Sequence, residues 1–219
     1  MWDQNDVQGF QYWTPKQIGQ INLDSNLGKL IYEVSKREDV KFILEIGTWN
    51  GFGSTKCVVE AIKEQKDKHF VSLECNKEKL NIAKSFYEFH YNIQHPLIEL
   101  LNLTVLDKIP TTEELNHQFP TLKDDPTKMH WLNVDLENLK NCGVYTTDKQ
   151  IDLLILDGGE FTTYFEYQIL KDKCNNIILD DTIIDKCSQI RKELLEDERW
   201  ELVKEDQKDR NGWSYFKRK

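Results

Sequence analysis

Acidic residues stand directly after two apolar runs in the second half of the chain. Asp157 follows the run IDLLIL, and the pair Asp180-Asp181 follows NIIL. Short apolar runs of this kind indicate buried strands, and in a doubly wound sheet ligands bind beyond the carboxyl ends of the strands. We therefore expect the three carboxylates to converge. Because like charges repel, a divalent cation is the usual remedy, and oxygen ligands without a histidine suit Mg²⁺.

A glycine-rich loop is the second feature with chemical meaning. In FILEIGTWNGFGST, Gly47, Gly51 and Gly53 lie between a predicted strand and a helical pattern that opens at Ser54. A dinucleotide fingerprint needs G-x-G-x-x-G, so that a helix N-terminus meets a pyrophosphate, and G-x-x-x-G-x-G does not match it. The loop suits a ligand without phosphates. Glu74, at the tip of the next strand, could accept hydrogen bonds from both hydroxyls of a ribose.

Strand and helix periods alternate along the chain and must position these residues. The hydrophobic pattern predicts strands at 40–46, 69–73, 97–105, 151–156, 176–179, 200–203 and 213–216. It predicts helices at 24–37, 54–62, 77–87, 164–171 and 186–195. This alternation predicts an α/β fold, a Rossmann-like, doubly wound, mostly parallel sheet of seven strands whose last strand is antiparallel.

The length of the chain fits one domain over residues 1–219, because single cores run to roughly 250 residues. Residues 1–37 are predicted to form an N-terminal flap and helix. The polar, proline-punctuated stretch 106–131 is longer than an ordinary connection, so we expect it to be an insertion that covers a site.

Composition excludes several classes of function. A formal net charge of −9 repels phosphate backbones, so a nucleic-acid partner is not expected. The five cysteines form no C-x-x-C pair, which argues against a disulfide framework or a zinc site. The sequence shows neither a signal-peptide pattern nor an apolar run of about 20 residues, so we expect a soluble, cytoplasmic protein without a membrane span. The sequence leaves open whether the chain forms a homodimer or is one domain of a larger protein.

The glycine loop and the acid before it resemble the first motif of the class I S-adenosylmethionine-dependent methyltransferases. That motif reads E-x-G-x-x-x-G-x-G, here residues 45–53, and the resemblance extends over about residues 13–216. It implies that S-adenosylmethionine is the cofactor, that Glu74 binds its ribose, and that Asn102 and Leu103 contact its adenine. The other cofactor contacts implied by the resemblance are Glu45, Gly47, Thr48, Trp49, Asn50, Gly51, Ser54 and Asp157.

The acidic cluster resembles that of metal-dependent small-molecule O-methyltransferases, some of which methylate sugars. The resemblance maps the Mg²⁺ ligands to Asp157, Asp180 and Asp181, with a base that removes the hydroxyl proton before the alkoxide attacks the sulfonium methyl. Sugar-type relatives often carry D-G-D with the second acid as base. This chain reads D-G-G-E, so we predict that Glu160 is the base and that Asp157 shares the catalytic role. Without a metal, Asp181 would only cap the next helix, and Asp157 would orient the cofactor's amine.

A narrower resemblance concerns the acceptor. LDGGEFTTY, IILDDT, IRKELL and the terminal RNG resemble small methyltransferases of glycan-biosynthesis clusters in bacteria and in large algal viruses. It implies a sugar acceptor, such as rhamnose or another deoxyhexose in a glycan. The predicted acceptor contacts are Tyr12, Trp13, Tyr164, Arg210 and Asn211. Two alternatives stay open: a catechol-like or other small hydroxyl acceptor, and a non-catalytic cofactor-binding module, which would not need the acidic set.

Overall fold

The computed structural model describes residues 21–91 and 97–219, and the β-strands of this part form two sheets. In chain order the strands are β1 (Phe42–Ile46), β2 (His69–Leu73), β3 (Ile98–Leu101), β4 (Leu103–Thr104), β5 (Gly143–Val144), β6 (Leu153–Leu156), β7 (Asn176–Asp180), β8 (Trp200–Asp206) and β9 (Trp213–Arg218). The helices are α1 (Asn26–Lys36), α2 (Ser54–Ile62), α3 (Lys77–Tyr91), α4 (Thr112–Gln118), α5 (Pro126–Lys140), α6 (Thr163–Leu170) and α7 (Ser188–Glu196).

The main sheet has the strand order β3-β2-β1-β6-β7-β9-β8. Neighbouring strands from β3 to β7 pair in parallel, whereas β9 pairs antiparallel with both β7 and β8. The predicted seven-stranded, mostly parallel sheet with an antiparallel last strand is therefore confirmed. β4 and β5 form a separate two-stranded parallel sheet.

The register of the central strands brings their carboxyl ends level with one another. Ile46 of β1 pairs with Leu73 of β2 on one side and with Leu156 of β6 on the other, and Leu156 pairs with Leu179 of β7. The residue that follows each of these four paired positions therefore lies at the carboxyl edge of the sheet. These residues are Gly47, Glu74, Asp157 and Asp180.

The central strands are apolar on both faces because helices cover both. Ile43 and Phe70 belong to a buried cluster that contains residues of α1, α2 and α3. Leu44 and Leu154, the neighbours of opposite orientation, belong to a second cluster with α6 and α7. Buried strands of parallel sheets read as near-continuous apolar runs for this reason.

A third apolar cluster holds the segment between β4 and β5 against the sheet edge. It contains Leu115 of α4, Leu132 of α5 and Phe161 from the loop after β6. The start of α5 is well specified, because Asp125 accepts hydrogen bonds from the backbone N–H groups of two first-turn residues and Pro126 fits the first turn. Phe161 thus ties the segment to the loop that follows Asp157.

The elements differ from the prediction in two places. The strand predicted at 97–105 is divided into β3 and β4, and the second part joins the small sheet. Helix α5 was not predicted. It carries the segment nine residues beyond the predicted boundary at 131, to Lys140.

Within the described residues, every helix is too short or too polar to cross a membrane.

Candidate active site

A cavity of about 590 Å³ opens at the carboxyl ends of β1, β2, β6 and β7. The glycine loop and Glu74 line one part of it, and the acidic cluster lines another. Helix α5 closes one side through Val134, Asp135, Asn138 and Leu139. The segment 106–131, which was expected to cover the site, contributes no lining residue. The lining residues come from the part of α5 that follows it.

Glycine is required at the start of the loop because of how closely two strand ends approach. Gly47 has φ +99°, and a Cβ atom there would lie 2.2 Å from the carbonyl oxygen of Asp157. Side chains other than hydrogen are excluded by both the backbone angle and the space. Gly47, Thr48, Trp49 and Ser54 line the cavity, and their contact with the cofactor stays a prediction.

Glu45 has a different position from the one predicted. Its side chain is fully buried behind the loop, where it accepts hydrogen bonds from Thr55 Oγ1 at 2.6 Å and Ser72 Oγ at 2.5 Å. Burial raises the pKa of Glu45 to about 7, although these hydroxyls act in the opposite direction. Glu45 supports the loop and does not line the cavity. Asn50 and Gly51 also lie outside the cavity lining.

Glu74 lies where a ribose-binding acid was predicted, and both of its carboxylate oxygens are held. Oε2 accepts a hydrogen bond from the backbone N–H of Trp49 at 2.6 Å, and Oε1 accepts one from that of Asn76 at 2.7 Å. Each oxygen keeps a further lone pair for a ligand hydroxyl. Leu103 lines the cavity nearby. Asn102 does not, because its amide donates to the carbonyl oxygens of Glu74 and Cys75.

The three aspartates meet as predicted, since one oxygen of each lies within 4.8 Å of the others. Two cations balance them: Lys186, which was not predicted to be in the site, and Arg210, which was predicted only as an acceptor contact. Lys186 Nζ lies 3.1 Å from Asp157 Oδ1 and 2.7 Å from Asp181 Oδ2. Arg210 forms an ion pair with Asp180. Its position follows from the β7–β9 register, which sets the turn before Trp213 beside the end of β7.

Electrostatics in this cluster follow from burial and from mutual charge. Burial raises the pKa of Asp180 to about 7, and the negative charge of Asp157 adds to the effect. Burial lowers the pKa of Lys186, but the attraction of the three aspartates outweighs it, so the net pKa lies well above the ordinary value. Lys186 is therefore a permanent cation at physiological pH.

The cluster has suitable donors for a divalent ion, but Lys186 competes for them. Carboxylate oxygens are the hard ligands that Mg²⁺ prefers, and their mutual distances fit a shared ion. The Lys186 ammonium already contacts Asp157 and Asp181, so an ion could lie among the three aspartates only after that side chain moved. Asp181 does not cap the next helix, because Cys187 is the residue at that N-terminus.

The predicted base Glu160 and the predicted acceptor contact Tyr164 also lie outside the cavity lining. Glu160 does not line it, and the charges that act on Glu160 include those of Lys128, Asp185 and Lys186. The hydroxyl of Tyr164 donates a hydrogen bond to Glu193 Oε1 of α7 at 2.7 Å, and Tyr164 does not line the cavity either. Arg210 and Asn211 do line it, whereas Tyr12 and Trp13 are outside the described residues.

Sequence reasoning also missed two acids in the cavity wall. Glu166 is buried on α6, accepts a hydrogen bond from Thr104 Oγ1 at 3.1 Å, and burial raises its pKa to about 7. Its position on the buried face with Thr163, Tyr167 and Leu170 was a signal that could have identified it. Asp135 comes from α5, and burial raises its pKa to about 6. It could not be identified because α5 itself was not predicted.

Comparison with solved structures shows a class I methyltransferase fold. A methyltransferase of Podospora anserina bound to S-adenosylhomocysteine (SAH) is 12% identical, with TM-score 0.61, covering 100% of this chain and 89% of that chain. An O-methyltransferase of Bacillus cereus in complex with SAH is 16% identical, with TM-score 0.58 and coverages of 100% and 92%. A methyltransferase of Geobacter sulfurreducens is 12% identical, with TM-score 0.58 and coverages of 100% and 90%. No known family and no curated protein sequence matches the chain.

Proposed function

We propose that this protein is an S-adenosylmethionine-dependent O-methyltransferase that acts on a hydroxyl of a sugar. The observation that carries the proposal is one cavity lined by the glycine loop and Glu74 and also by the acidic cluster. A nucleoside sulfonium fits against the first set, and a polar acceptor fits beside the second. The likeness to folds that bind SAH supports the choice of cofactor.

The cofactor half of the cavity needs little rearrangement to bind a ribose. The backbone N–H groups of Trp49 and Asn76 hold the Glu74 carboxylate, so the ligand does not bear the cost of ordering it. Ser54 Oγ donates to Asp157 Oδ2 at 3.1 Å, which links the start of α2 to the acidic cluster. These contacts hold the two parts of the cavity together.

Methyl transfer requires only alignment and removal of one proton. The acceptor oxygen attacks the methyl carbon in line, the new C–O bond forms as the C–S bond breaks, and the electron pair stays on sulfur. The hydroxyl proton passes to a base. Helix α5 forms one wall beside the reacting groups, and loss of water from the cavity when both substrates bind would strengthen the electrostatic interactions between them.

Mg²⁺ is a second part of the proposal, and Asp157, Asp180 and Asp181 would hold it. When bound, the ion would lower the pKa of the acceptor hydroxyl. The common approach of three carboxylates favours this assignment. Methyl transfer that survives thorough chelation at full rate would contradict it, and so would an unchanged unfolding temperature when Mg²⁺ is added.

The polarity of the cavity wall favours a polyhydroxyl acceptor, with a deoxyhexose such as rhamnose as the first candidate. Acids line it beside Arg210 and Asn211, groups that pair with hydroxyls. Trp131 is half exposed on α5, one turn before Asp135, and offers an aromatic surface for a sugar ring. The proposal includes a cytoplasmic setting, where S-adenosylmethionine and activated sugars meet.

The test begins with ligand-dependent heat denaturation. SAH should raise the unfolding temperature of the wild type, because a ligand present at 100 times its Kd stabilises the folded state by about 2.7 kcal/mol. NAD⁺ should leave the unfolding temperature unchanged. Labelled methyl transfer is then measured over mono- and disaccharides and catechol. Stabilisation by NAD⁺ alone would contradict the proposal. SAH binding without transfer would favour a cofactor-binding module, and transfer to catechol alone a phenolic acceptor.

A further inference from the structure

Asp135 is held with its carboxylate against the loop that follows β6. Leu132 and Leu139 anchor α5 in the apolar core, and Asp135 lies between them on the side that lines the cavity. A Cβ atom built on Gly159 would lie 2.8 Å from Asp135 Oδ2. The absence of a side chain at Gly159 therefore leaves the space that this carboxylate occupies.

The Asp135 carboxylate is largely buried and unpaired. It makes no hydrogen bond or ion pair with residues in the described ranges 21–91 and 97–219. A buried polar group without a partner costs stability, and such groups concentrate where a ligand provides the partner. The geometry thus leaves an acid free to meet an acceptor hydroxyl.

The charges that face Asp135 come from three other elements. Lys186, in the loop after β7, attracts the carboxylate and acts against the effect of burial on its pKa. Glu74 at the end of β2 and Glu166 on α6 both interact with its negative charge unfavourably. Burial, opposed by the positive charge of Lys186, raises the pKa of Asp135 to about 6.

The position of Glu160 makes it a weaker candidate for the same role. Glu160 lies in the same loop as Gly159 but does not line the cavity. Its carboxylate interacts with the charges of Lys128 and Asp185, which form an ion pair with each other at 2.5 Å. Of these two acids, only Asp135 lines the cavity.

We infer that Asp135 of the covering helix is the base that removes the proton from the acceptor hydroxyl. The inference rests on the proposed function. The hydroxyl O–H bond breaks and its proton passes to the Asp135 carboxylate, while the oxygen forms the bond to the methyl carbon. The sulfonium leaves as neutral SAH, and Asp135 then releases the proton to solvent.

The kinetic test compares Asp135→Asn with Glu137→Gln, a matched loss of charge on the same helix whose side chain is 67% exposed. The acceptor is whichever saccharide of the panel the wild type methylates fastest. Asp135→Asn should lower kcat by about 10²- to 10⁴-fold, as expected for loss of a general base, with SAH affinity unchanged. The wild-type rate should fall tenfold per pH unit below about pH 6, and Glu137→Gln should behave the same way.

Two kinetic results would overturn the inference. One is an Asp135→Asn variant that keeps the wild-type rate and pH profile. The other is a loss of kcat of that size in Glu160→Gln and not in Asp135→Asn. If the wild type methylates no acceptor, the proposed function fails and the inference fails with it, whereas transfer by the wild type leaves the proposed function standing and lets the variants decide the inference. The premise that the carboxylate is unpaired has its own test, which needs no acceptor. Asp135→Asn should unfold at a higher temperature than the wild type at pH 8, whereas a lower temperature would assign Asp135 a structural role and refute the inference.

Discussion

Replacement of Asp135 by asparagine should stabilise the protein above neutral pH, because it removes a buried negative charge without a partner. Burial raises the pKa of Asp135 from 3.8 to about 6 in the folded state. The folded protein thus holds this proton more tightly than the unfolded chain does. That stabilisation is complete below pH 3.8 and is lost as the pH rises through 6.

The size of the effect follows from the distance between the two pKa values. At about 1.4 kcal/mol per pH unit, the ionised carboxylate lowers the free energy of unfolding by up to about 3 kcal/mol at pH 8. Asparagine keeps the shape and carries no charge, so the gain should be near zero at pH 4 and approach about 3 kcal/mol at pH 8. In a domain of this size that corresponds to roughly 6 to 12 °C.

The assay is urea unfolding of wild type, Asp135→Asn and Glu137→Gln from pH 4 to pH 8, without cofactor. Glu137 pairs with Lys140 on the exposed face of α5, so its variant should stay within about 0.5 kcal/mol of wild type at every pH. A gain in Asp135→Asn that does not change with pH would refute the argument from charge burial, and a loss at pH 8 would refute the assignment of an unpaired carboxylate.

Three further outcomes are expected. Lys186→Met should lower the free energy of unfolding by about 3 to 5 kcal/mol at pH 7.5 in urea titrations, because it leaves Asp157 and Asp181 largely buried without their cation. Lys128 is more exposed, so Lys128→Met should cost under about 1 kcal/mol, and equal losses in the two variants would disprove the assignment. Glu74→Gln should weaken SAH binding by about 10- to 100-fold in calorimetry, from the loss of a charge-assisted hydrogen bond, and an unchanged Kd would exclude Glu74 as the ribose ligand. Gly47→Ala should destabilise the fold by more than about 2 kcal/mol in thermal melts, since its Cβ meets a carbonyl oxygen at 2.2 Å. The control is Gly53→Ala, whose Cβ lies 4.0 Å from its nearest neighbour, and similar melts for both variants would contradict the steric argument.

The strands that carry the site were predictable because they are apolar on both faces and end at glycines or acids. The runs before Gly47 and Asp157 can satisfy their hydrophobic residues only between two layers of helices, so their type and order follow from local pattern. The strand ends that position Glu74 and Asp180 were placed correctly for the same reason. Convergence at one edge then follows from parallel pairing.

Helix α5 was missed because its pattern is weakly amphipathic. Only Leu132 and Leu139 are buried along its 15 residues, and Trp131 and Val134 are exposed. A helix of this composition is specified by what it packs on, here the cluster around Phe161. Without that partner the sequence shows no reason for Asp135 to face inward.

The side chains misjudged from the sequence are those whose direction depends on packing. Tyr164 follows the predicted loop, but the rotation of α6 turns its hydroxyl toward Glu193. Glu160 differs in the same way, because the loop turns it out of the cavity lining. Lys186 was read only as the start of a helix, since nothing local to it indicates that the sheet edge lies within reach of its long side chain.

The sequence by itself determined the sheet, the glycine loop and the acids at the strand ends, because hydrophobic period and backbone freedom are properties of neighbouring residues. The tertiary structure alone decided which charges share the cavity. It brought Lys186 and Arg210 among three aspartates, and it set Asp135 beside Gly159. Those contacts join residues distant along the chain, and their free energies depend on burial that no local pattern records.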